Sequence, residues 1–380
     1  MELVVRKSDF LRELQLLQSI VERKITIPIL ANILVEADGD AMKLLATDLE
    51  VGLRTGCPAS VARAGTMTLP AKKLFELVKE LPEADVRIEQ DNAGVKIAAD
   101  RFESRLSTLP PEDYPSLPAA LEAYEETLPV AALRLMIAKT VFAITGEDTR
   151  YFLNGALLVM KGDSLSLVAT DGHRLALITV PRPAAEAPEG RKAKKAEGVE
   201  DRREILPKKT LAELDRLLRD PQAADLRFGR TENHLFFESG PRLLVSRKID
   251  GQFPAYDRVI PRGNDKKIDF ERERFARAVR RVALLSSERS RAVKFLIDKG
   301  QVEVTSSSPD LGEAKELLLV EYDGPPVQIC FNAQYVSDFL GAVETEQVTL
   351  EFKDEVSQAV MRPVAPEGYD YLYVIMPMRL

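Results

Sequence analysis

Apolar and polar positions along the chain switch between two spacings, and the switching itself recurs. A short apolar run at Leu3-Val4-Val5 leads to Ser8-Asp9, which can cap a helix whose apolar residues Phe10, Leu14, Leu17 and Val21 share one face. Runs at Ile33–Val35, Lys43–Ala46 and Val51–Arg54 then predict strands. After Gly65 the order restarts: Thr68-Leu69-Pro70, a helix bearing Leu74, Leu77, Val78 and Leu81, then strands near Val86–Glu89, Val95–Ala98 and Phe102–Leu106.

The same half-unit follows four more times. Helices are predicted with apolar faces Leu133/Ile137/Val141, Leu211/Leu214/Leu217/Leu218, Phe275/Val279/Val282 and Val336/Phe339/Leu340/Val343, each followed by about three strands. Leu69-Pro70-Ala71-Lys72-Lys73 is answered by Leu206-Pro207-Lys208-Lys209. Six halves in the order strand, helix, strands predict an α+β protein of three similar domains, each with two helices on antiparallel sheets. The boundaries expected are 1–124, 125–265 and 266–380. Pro110–Pro118 and Gly251–Tyr256 read as extended exits from the first two. Pro181–Arg203, rich in Pro, Ala, Glu, Lys and Arg, reads as a mobile surface loop inserted in the middle domain.

One turn stands out. Leu167–Leu177 is two apolar runs broken by Asp171-Gly172-His173-Arg174, and Asp-Gly between such runs is a strong hairpin signal. Leu44-Leu45-Ala46-Thr47-Asp48 repeats the Ala-Thr-Asp pattern 123 positions earlier (171 − 48), and Val302–Asp310 carries a degraded third copy. Asp171 and His173 could in principle act as an acid/base pair or as metal ligands. However, there is no Gly-x-x-x-x-Gly-Lys loop, no Gly-x-Ser-x-Gly elbow, and only one other histidine, His234, so neither hydrolase nor phosphotransferase chemistry is supported and no catalytic or metal residue is expected.

Composition narrows the class further. A chain of 380 residues with 45% hydrophobic and 30% charged residues can bury several cores, and no apolar run approaches the roughly 20 residues that span a bilayer, so a soluble cytoplasmic protein is expected. Cys57 and Cys330 are too few for a disulfide framework and read as small core residues. A formal charge of −7 argues against a wholly nucleic-acid-binding surface. The helices are the exception: Lys72, Lys73 and Lys79, then Lys208, Lys209, Arg216 and Arg219, then Arg272, Arg274, Arg277, Arg280 and Arg281 outnumber the acids beside them. Gathered on one side, they would give a positive track.

Ala169–Ala176, Arg150-Tyr151-Phe152-Leu153-Asn154-Gly155 and the tail Tyr373-Val374-Ile375-Met376-Pro377-Met378-Arg379-Leu380 together resemble the bacterial DNA polymerase III β subunit, the β sliding clamp. The resemblance covers the whole chain and is weakest at Pro181–Arg203. It implies a homodimeric ring of six domains around duplex DNA, helices inside and sheets outside, without catalytic residues or a cofactor. It also implies tethering of the replicative polymerase catalytic subunit and of other clamp-binding-motif proteins, such as repair polymerases, mismatch repair proteins and ligase, and placement on DNA by a clamp loader. No membrane partner is implied. A scaffold that binds proteins through the same pocket without enclosing DNA is the rival.

Carried over by position, the resemblance puts a partner-peptide pocket at Arg150, Leu153, Thr170, Gly172, His173, Arg174, Leu175, Pro254, Arg258, Val259, Asn332, Tyr335, Val360, Met376, Pro377, Met378, Arg379 and Leu380. Apolar residues would form its floor, with His173 and the arginines at its rim. DNA contacts are implied at Arg23, Lys24, Arg150, Tyr151 and Phe152, joined by Lys72, Lys73, Lys208, Lys209, Arg277 and Arg280 from the basic helices. Tyr151-Phe152 stands where many relatives carry two tyrosines and Glu147 where a neutral amide is common, which implies weaker contact through that loop. Dimer contacts are implied at Arg101, Leu106, Leu284 and Leu285, with Arg101–Leu106 pairing to a strand near Glu303–Ser307.

Overall fold

The computed structural model describes residues 1–21, 27–146, 149–182, 201–221 and 225–379. Among these lie six α-helices, α1 (Lys7–Ile20), α2 (Ala71–Glu80), α3 (Val130–Thr140), α4 (Lys208–Leu218), α5 (Arg272–Ala283) and α6 (Ala333–Ala342), and antiparallel strands in four sheets. The fold is α+β, as expected. Most of the inserted segment and the loop 22–26 lie outside the described residues.

The chain forms two compact units, Met1–Leu133 with Lys209–Lys248, and Arg134–Lys208 with Ile249–Leu380. In the first, α1 packs on α2 and buries Phe10, Leu14 and Leu17 against Leu74 and Val78. Burying side chains of this size stabilises by roughly 1.5–3 kcal/mol each before entropy is subtracted. In the second, α5 packs on α6, and an aromatic chain runs through the core: Phe270 stacks on Phe275 at 4.2 Å, and Phe275, Phe295 and Phe331 meet edge to face.

Each unit holds one eight-stranded sheet, and the two sheets have the same order. In the first it runs Gly65–Pro70, Asn32–Asp38, Ala41–Thr47, Val51–Pro58, then Arg242–Arg247, His234–Ser239, Leu226–Arg230, Glu126–Leu128. In the second it runs Arg202–Pro207, Gly155–Met160, Ser164–Thr170, Arg174–Pro181, then Asp370–Ile375, Ala359–Pro363, Gln347–Phe352, Lys266–Glu271. At the middle of each, strands distant in sequence meet: Val51–Arg54 pair with Leu243–Ser246, and Arg174–Thr179 pair with Asp370–Ile375. We call these joins the first and second seams.

Several local expectations are corrected. Helix α1 begins at Lys7 directly after strand Glu2–Arg6 and has no side-chain cap, so Ser8-Asp9 lies inside its first turn. The buried Lys7 ammonium sets that start by donating to Leu81 O at 2.5 Å and Glu83 at 2.9 Å. Strands Ser60–Arg63 and Glu126–Leu128 were not anticipated, being too short for alternation to register. Pro181, Arg202 and Arg203, expected in the loop, are strand residues. The third Ala-Thr-Asp copy has no matching turn; strand Gln301–Ser308 closes instead on Gly312.

The first seam is fastened by a buried ion cluster. Arg242 donates to Glu13 through Nε (2.9 Å) and Nη2 (2.7 Å) and pairs with Asp220 at 2.7 Å, while Thr55 donates to Glu13 at 2.6 Å. Burial pushes the Glu13 carboxyl up, but hydrogen bonds from Arg242 and Thr55 outweigh it, leaving the pKa below the usual carboxylate value. Removing the cation would strand two buried carboxylates, so Arg242→Met should cost about 3–5 kcal/mol in urea unfolding. A loss under about 1 kcal/mol would show that the cluster does not hold the seam. Because the folded pKa of Glu13 is depressed, its contribution is complete above the unfolded value of about 4.5 and fades as pH falls through the folded one. Stability of the native chain should therefore fall more steeply with acid than that of Glu13→Gln.

Candidate functional site

The hairpin at Leu167–Leu177 is built by its own side chains. Thr170 Oγ1 donates to Arg174 O at 2.6 Å and accepts Gly172 N–H at 3.1 Å, and Asp171 Oδ1 accepts the N–H groups of His173 and Arg174, both at 3.0 Å. Gly172 sits at φ +87°, where a side chain would be strained, and an added Cβ would stand 3.2 Å from the Arg150 guanidinium. The first copy repeats this wiring: Thr47 Oγ1 donates to Val51 O and accepts Leu49 N–H, and Asp48 Oδ1 accepts Glu50 and Val51 N–H. Leu49 takes the left-handed place of Gly172 at φ +78°. In both copies the Thr and Asp side chains are therefore engaged in closing the turn.

Arg174 was expected at a pocket rim, and the structure corrects this. Its side chain is 9% exposed. Nε donates to Asp171 (3.0 Å), Nη1 to Asp338 (2.5 Å) and Nη2 to Phe142 O (2.6 Å), and the guanidinium lies 4.2 Å over the Tyr335 ring. Burial would lower its pKa, but Tyr373, Asp338 and Asp171 hold it above the ordinary arginine value, so the cation is permanent. Tyr335 and Asn332 are half-buried beside it: Tyr335 O accepts the Tyr373 hydroxyl at 3.0 Å, and Asn332 Oδ1 caps α6 by accepting Gln334 N–H at 2.9 Å. Nearby, the buried Lys139 ammonium donates to Ala342 O at 2.8 Å, satisfying the carboxyl end of α6.

Beside this hub, one sheet face is apolar. Leu175 and Val360 join Leu157, Val168, Val374 and Phe253 in a single buried cluster, with Val259 and Phe152 partly buried against it. Sequence carry-over named Leu175, Val259 and Val360 but missed the rest; their alternate positions on paired strands were the available signal. Tyr256 also belongs to the cluster, so the exit Gly251–Tyr256 is anchored rather than free. Leu153 is buried, whereas Arg150, Pro254, Arg258 and His173 are exposed. The tail is pinned: Met376 N–H donates to His173 O at 3.0 Å and Met378 N–H to Cys330 O at 2.8 Å, with Pro377, which has no N–H, between them. Met376 remains 40% exposed and Arg379 is exposed, while Leu380 lies outside the described residues.

The DNA candidates separate. Tyr151 is 56% exposed, but Phe152 packs against the apolar cluster, because successive residues of the 3-10 turn Tyr151–Leu153 point about 120° apart. Lys208 donates to Ile144 O at 3.1 Å, and Lys209 bonds the Asp48 carboxylate, so both spend their charge inside the protein. Lys73 pairs with Glu76 at 2.6 Å and Arg277 with Glu273 at 2.8 Å, each on open surface, and Arg280 is exposed. Lys72 joins Arg216 and Arg219 of the basic helices around a concavity of about 910 Å³ between α1 and α4, and Arg12, which sequence reasoning did not single out, lines it too. Arg23, Lys24 and Glu147 lie outside the described residues.

Two sheet edges carry exposed large apolar side chains. Strand Phe102–Leu106 ends one sheet with Phe102 43% exposed, Arg101 exposed and Leu106 partly so. Strand Gly312–Leu319 ends another with Leu317 and Leu319 at 45% and 69%. Leu284, after α5, is 76% exposed and Leu285 partly buried. The expectation that Glu303–Ser307 forms the pairing edge is wrong: Gln301–Ser308 already has neighbours on both sides, leaving Gly312–Leu319 as the outer strand. Cys57 and Cys330 are buried strand residues, and burial pushes their thiols to about 12 and about 11. Among the described residues no cluster of His, Cys, Asp and Glu is placed to hold a metal ion, and no helix is long and apolar enough to cross a membrane.

Three family profiles match the chain in order: DNA polymerase III beta subunit, N-terminal domain, over residues 1–118; the central domain over 127–255; and the C-terminal domain over 257–379. The chain belongs to the β sliding clamps of DNA polymerase III. The clamp of Caulobacter vibrioides NA1000 is 39% identical over 389 residues and that of Escherichia coli K12 33% over 386, with all of both chains covered in each case. The solved sliding clamps of Pseudomonas aeruginosa and Bartonella birtlesii, each bound to griselimycin, superpose with a TM-score of 0.89 at 34% identity, also over the full chains. Set against the clamp profiles, the first seam joins strands of the N-terminal and central segments, and the second joins strands of the central and C-terminal segments.

Arg174 thus ties the turn, Phe142, α6 and the strand before the tail. Arg174→Met should speed hydrogen exchange at the Gly172 and Met376 amides at least tenfold relative to amides of the first seam. Equal acceleration at both seams would mean that Arg174 acts only on global stability.

Proposed function

We propose that the chain is the processivity factor of its replicase: two copies close head to tail into a ring that encircles duplex DNA, slides without sequence preference, and tethers the polymerase catalytic subunit and other replication and repair proteins by short peptides. The domains are 1–124, 125–265 and 266–380. The observation that carries ring closure is the pair of uncovered edges, Phe102–Leu106 and Gly312–Leu319. Apolar edge strands left open invite further pairing, and a closed ring removes them. Arg101, Leu106, Leu284 and Leu285 lie at these contacts, with Gly312–Leu319 replacing Glu303–Ser307 as the paired strand.

Exposed arginines and lysines on the helices, among them Lys73, Arg277 and Arg280, with the half-buried Lys72 beside them, face the phosphates across water. Such contacts give salt-sensitive sliding rather than grip. Tethering is assigned to the second seam, where the apolar face and the pinned Met376-Pro377-Met378 tail adjoin the Thr170–Arg174 turn. Methionines repack around different partners, which suits one pocket to many peptides. The griselimycin-bound relatives support a ligand pocket in this family. The chain does no chemistry and needs no cofactor in this reading; loading onto DNA falls to a separate clamp loader.

Calorimetric titration with a short peptide bearing a Gln and two large apolar residues tests the pocket. Deleting Met376–Leu380 should abolish binding while the dimer mass is retained. His173→Ala should weaken it more mildly, because only a rim contact goes. Unchanged affinity in the truncated chain would refute the assignment.

A further inference from the structure

The matching strand registers allow the two seams to be compared residue by residue. Leu45 pairs with Arg54 as Val168 pairs with Leu177, Gly52 with Val245 as Leu175 with Val374, and Phe236 with Val245 as Val360 with Val374. The face assigned to peptide docking at the second seam therefore has a counterpart at the first. That counterpart is covered by the chain itself. Tyr114 and Leu117 pack with Leu34 and Leu45, and Leu121 and Tyr124 pack on Phe236, Leu243 and Val245.

Two glycines make the cover fit. A Cβ at Gly52 would stand 2.4 Å from Leu117 Cδ1, and one at Gly229 would stand 2.4 Å from Leu121 Cδ1. Gly52 holds the register place of Leu175, so the Leu117 side chain fills space that a side chain of the sheet fills at the second seam. The Tyr114 hydroxyl fixes the entry to this stretch by donating to Asn32 O at 3.0 Å. The second-seam exit begins alike, with Phe253-Pro254 matching Tyr114-Pro115, and also lays Tyr256 and Ile260 on its sheet, yet there the Met376–Arg379 tail borders the face.

We propose that the first seam is a second peptide-docking groove held shut by an internal ligand, the segment Leu117–Tyr124. Its exchangeable ligand is an extended peptide with two large apolar residues spaced as Leu117 and Leu121 are. This rests on the reading of the second seam as a peptide pocket. A segment tethered at both ends acts at an effective concentration on the order of millimolar, so a free peptide of modest affinity cannot displace it, and each chain offers one open site.

The test uses the full chain lacking only Met376–Leu380, titrated with the same Gln-containing peptide while hydrogen exchange follows residues 114–124. With the native cover, no binding is expected; binding here would break the second-seam reading instead. Adding Leu117→Ser and Leu121→Ser, which leave the sheet untouched, should unseat the segment, expose it to exchange and restore binding of one peptide per chain, competed by a synthetic peptide spanning Tyr114–Tyr124. Adding Gly52→Ala and Gly229→Ala as well should abolish that binding, because the new methyls occupy the space the peptide's apolar side chains need. An exposed segment with no peptide bound in the serine variant, or binding that survives the added methyls, overturns the proposal.

Discussion

Backbone pairing across two seams is the constraint on which everything else depends. Strands Val51–Pro58 and Arg174–Pro181 each accept a neighbour from far along the chain, which turns short hairpin sets into eight-stranded sheets and leaves no unpaired edge between successive repeats. Each seam also buries an arginine. Arg242 holds Glu13 and Asp220 at the first, and Arg174 holds Asp171 and Asp338 at the second. Desolvating such charges costs several kcal/mol apiece, so they persist only where every hydrogen-bonding direction is met. Each arginine thereby ties a seam strand to a helix, Arg242 to α1 through Glu13 and Arg174 to α6 through Asp338.

Function follows from where the seams place their neighbours. The second sets a turn, a helix cap and a pinned tail around one apolar face, which on the proposed reading receives short peptides. The first carries the same strand order but covers its face with Leu117 and Leu121. On that reading, repetition of a fold yields one face bordered by the tail and one occupied by the exit segment that seats on Gly52 and Gly229.

Much of this was legible in the sequence. The six half-units could be read because helical and strand spacing alternate with few interruptions, and the Thr-Asp turns because their hydrogen bonding needs only local residues. What could not be read was direction. Arg174, Lys208 and Lys209 look like surface charges in the sequence, yet Asp338, Ile144 and Asp48, which receive them, are distant along the chain. Phe152 differs from Tyr151 only in which way a 3-10 turn points it. The outer strand Gly312–Leu319 was misassigned because its neighbour Gln301–Ser308 has the cleaner alternation, and alternation reports burial of a face rather than position at an edge.

In the proposed ring, binding to DNA is topological and depends on closure at the two open sheet edges. Retention on a linear duplex at physiological salt measures this directly, with the ends either free or blocked by bulky bound protein after loading. Long retention is expected only when both ends are blocked, and should be lost in a Leu284→Asp, Leu285→Asp variant that sediments as a monomer. Equal retention on open and blocked duplexes, or retention by the monomeric variant, would contradict it.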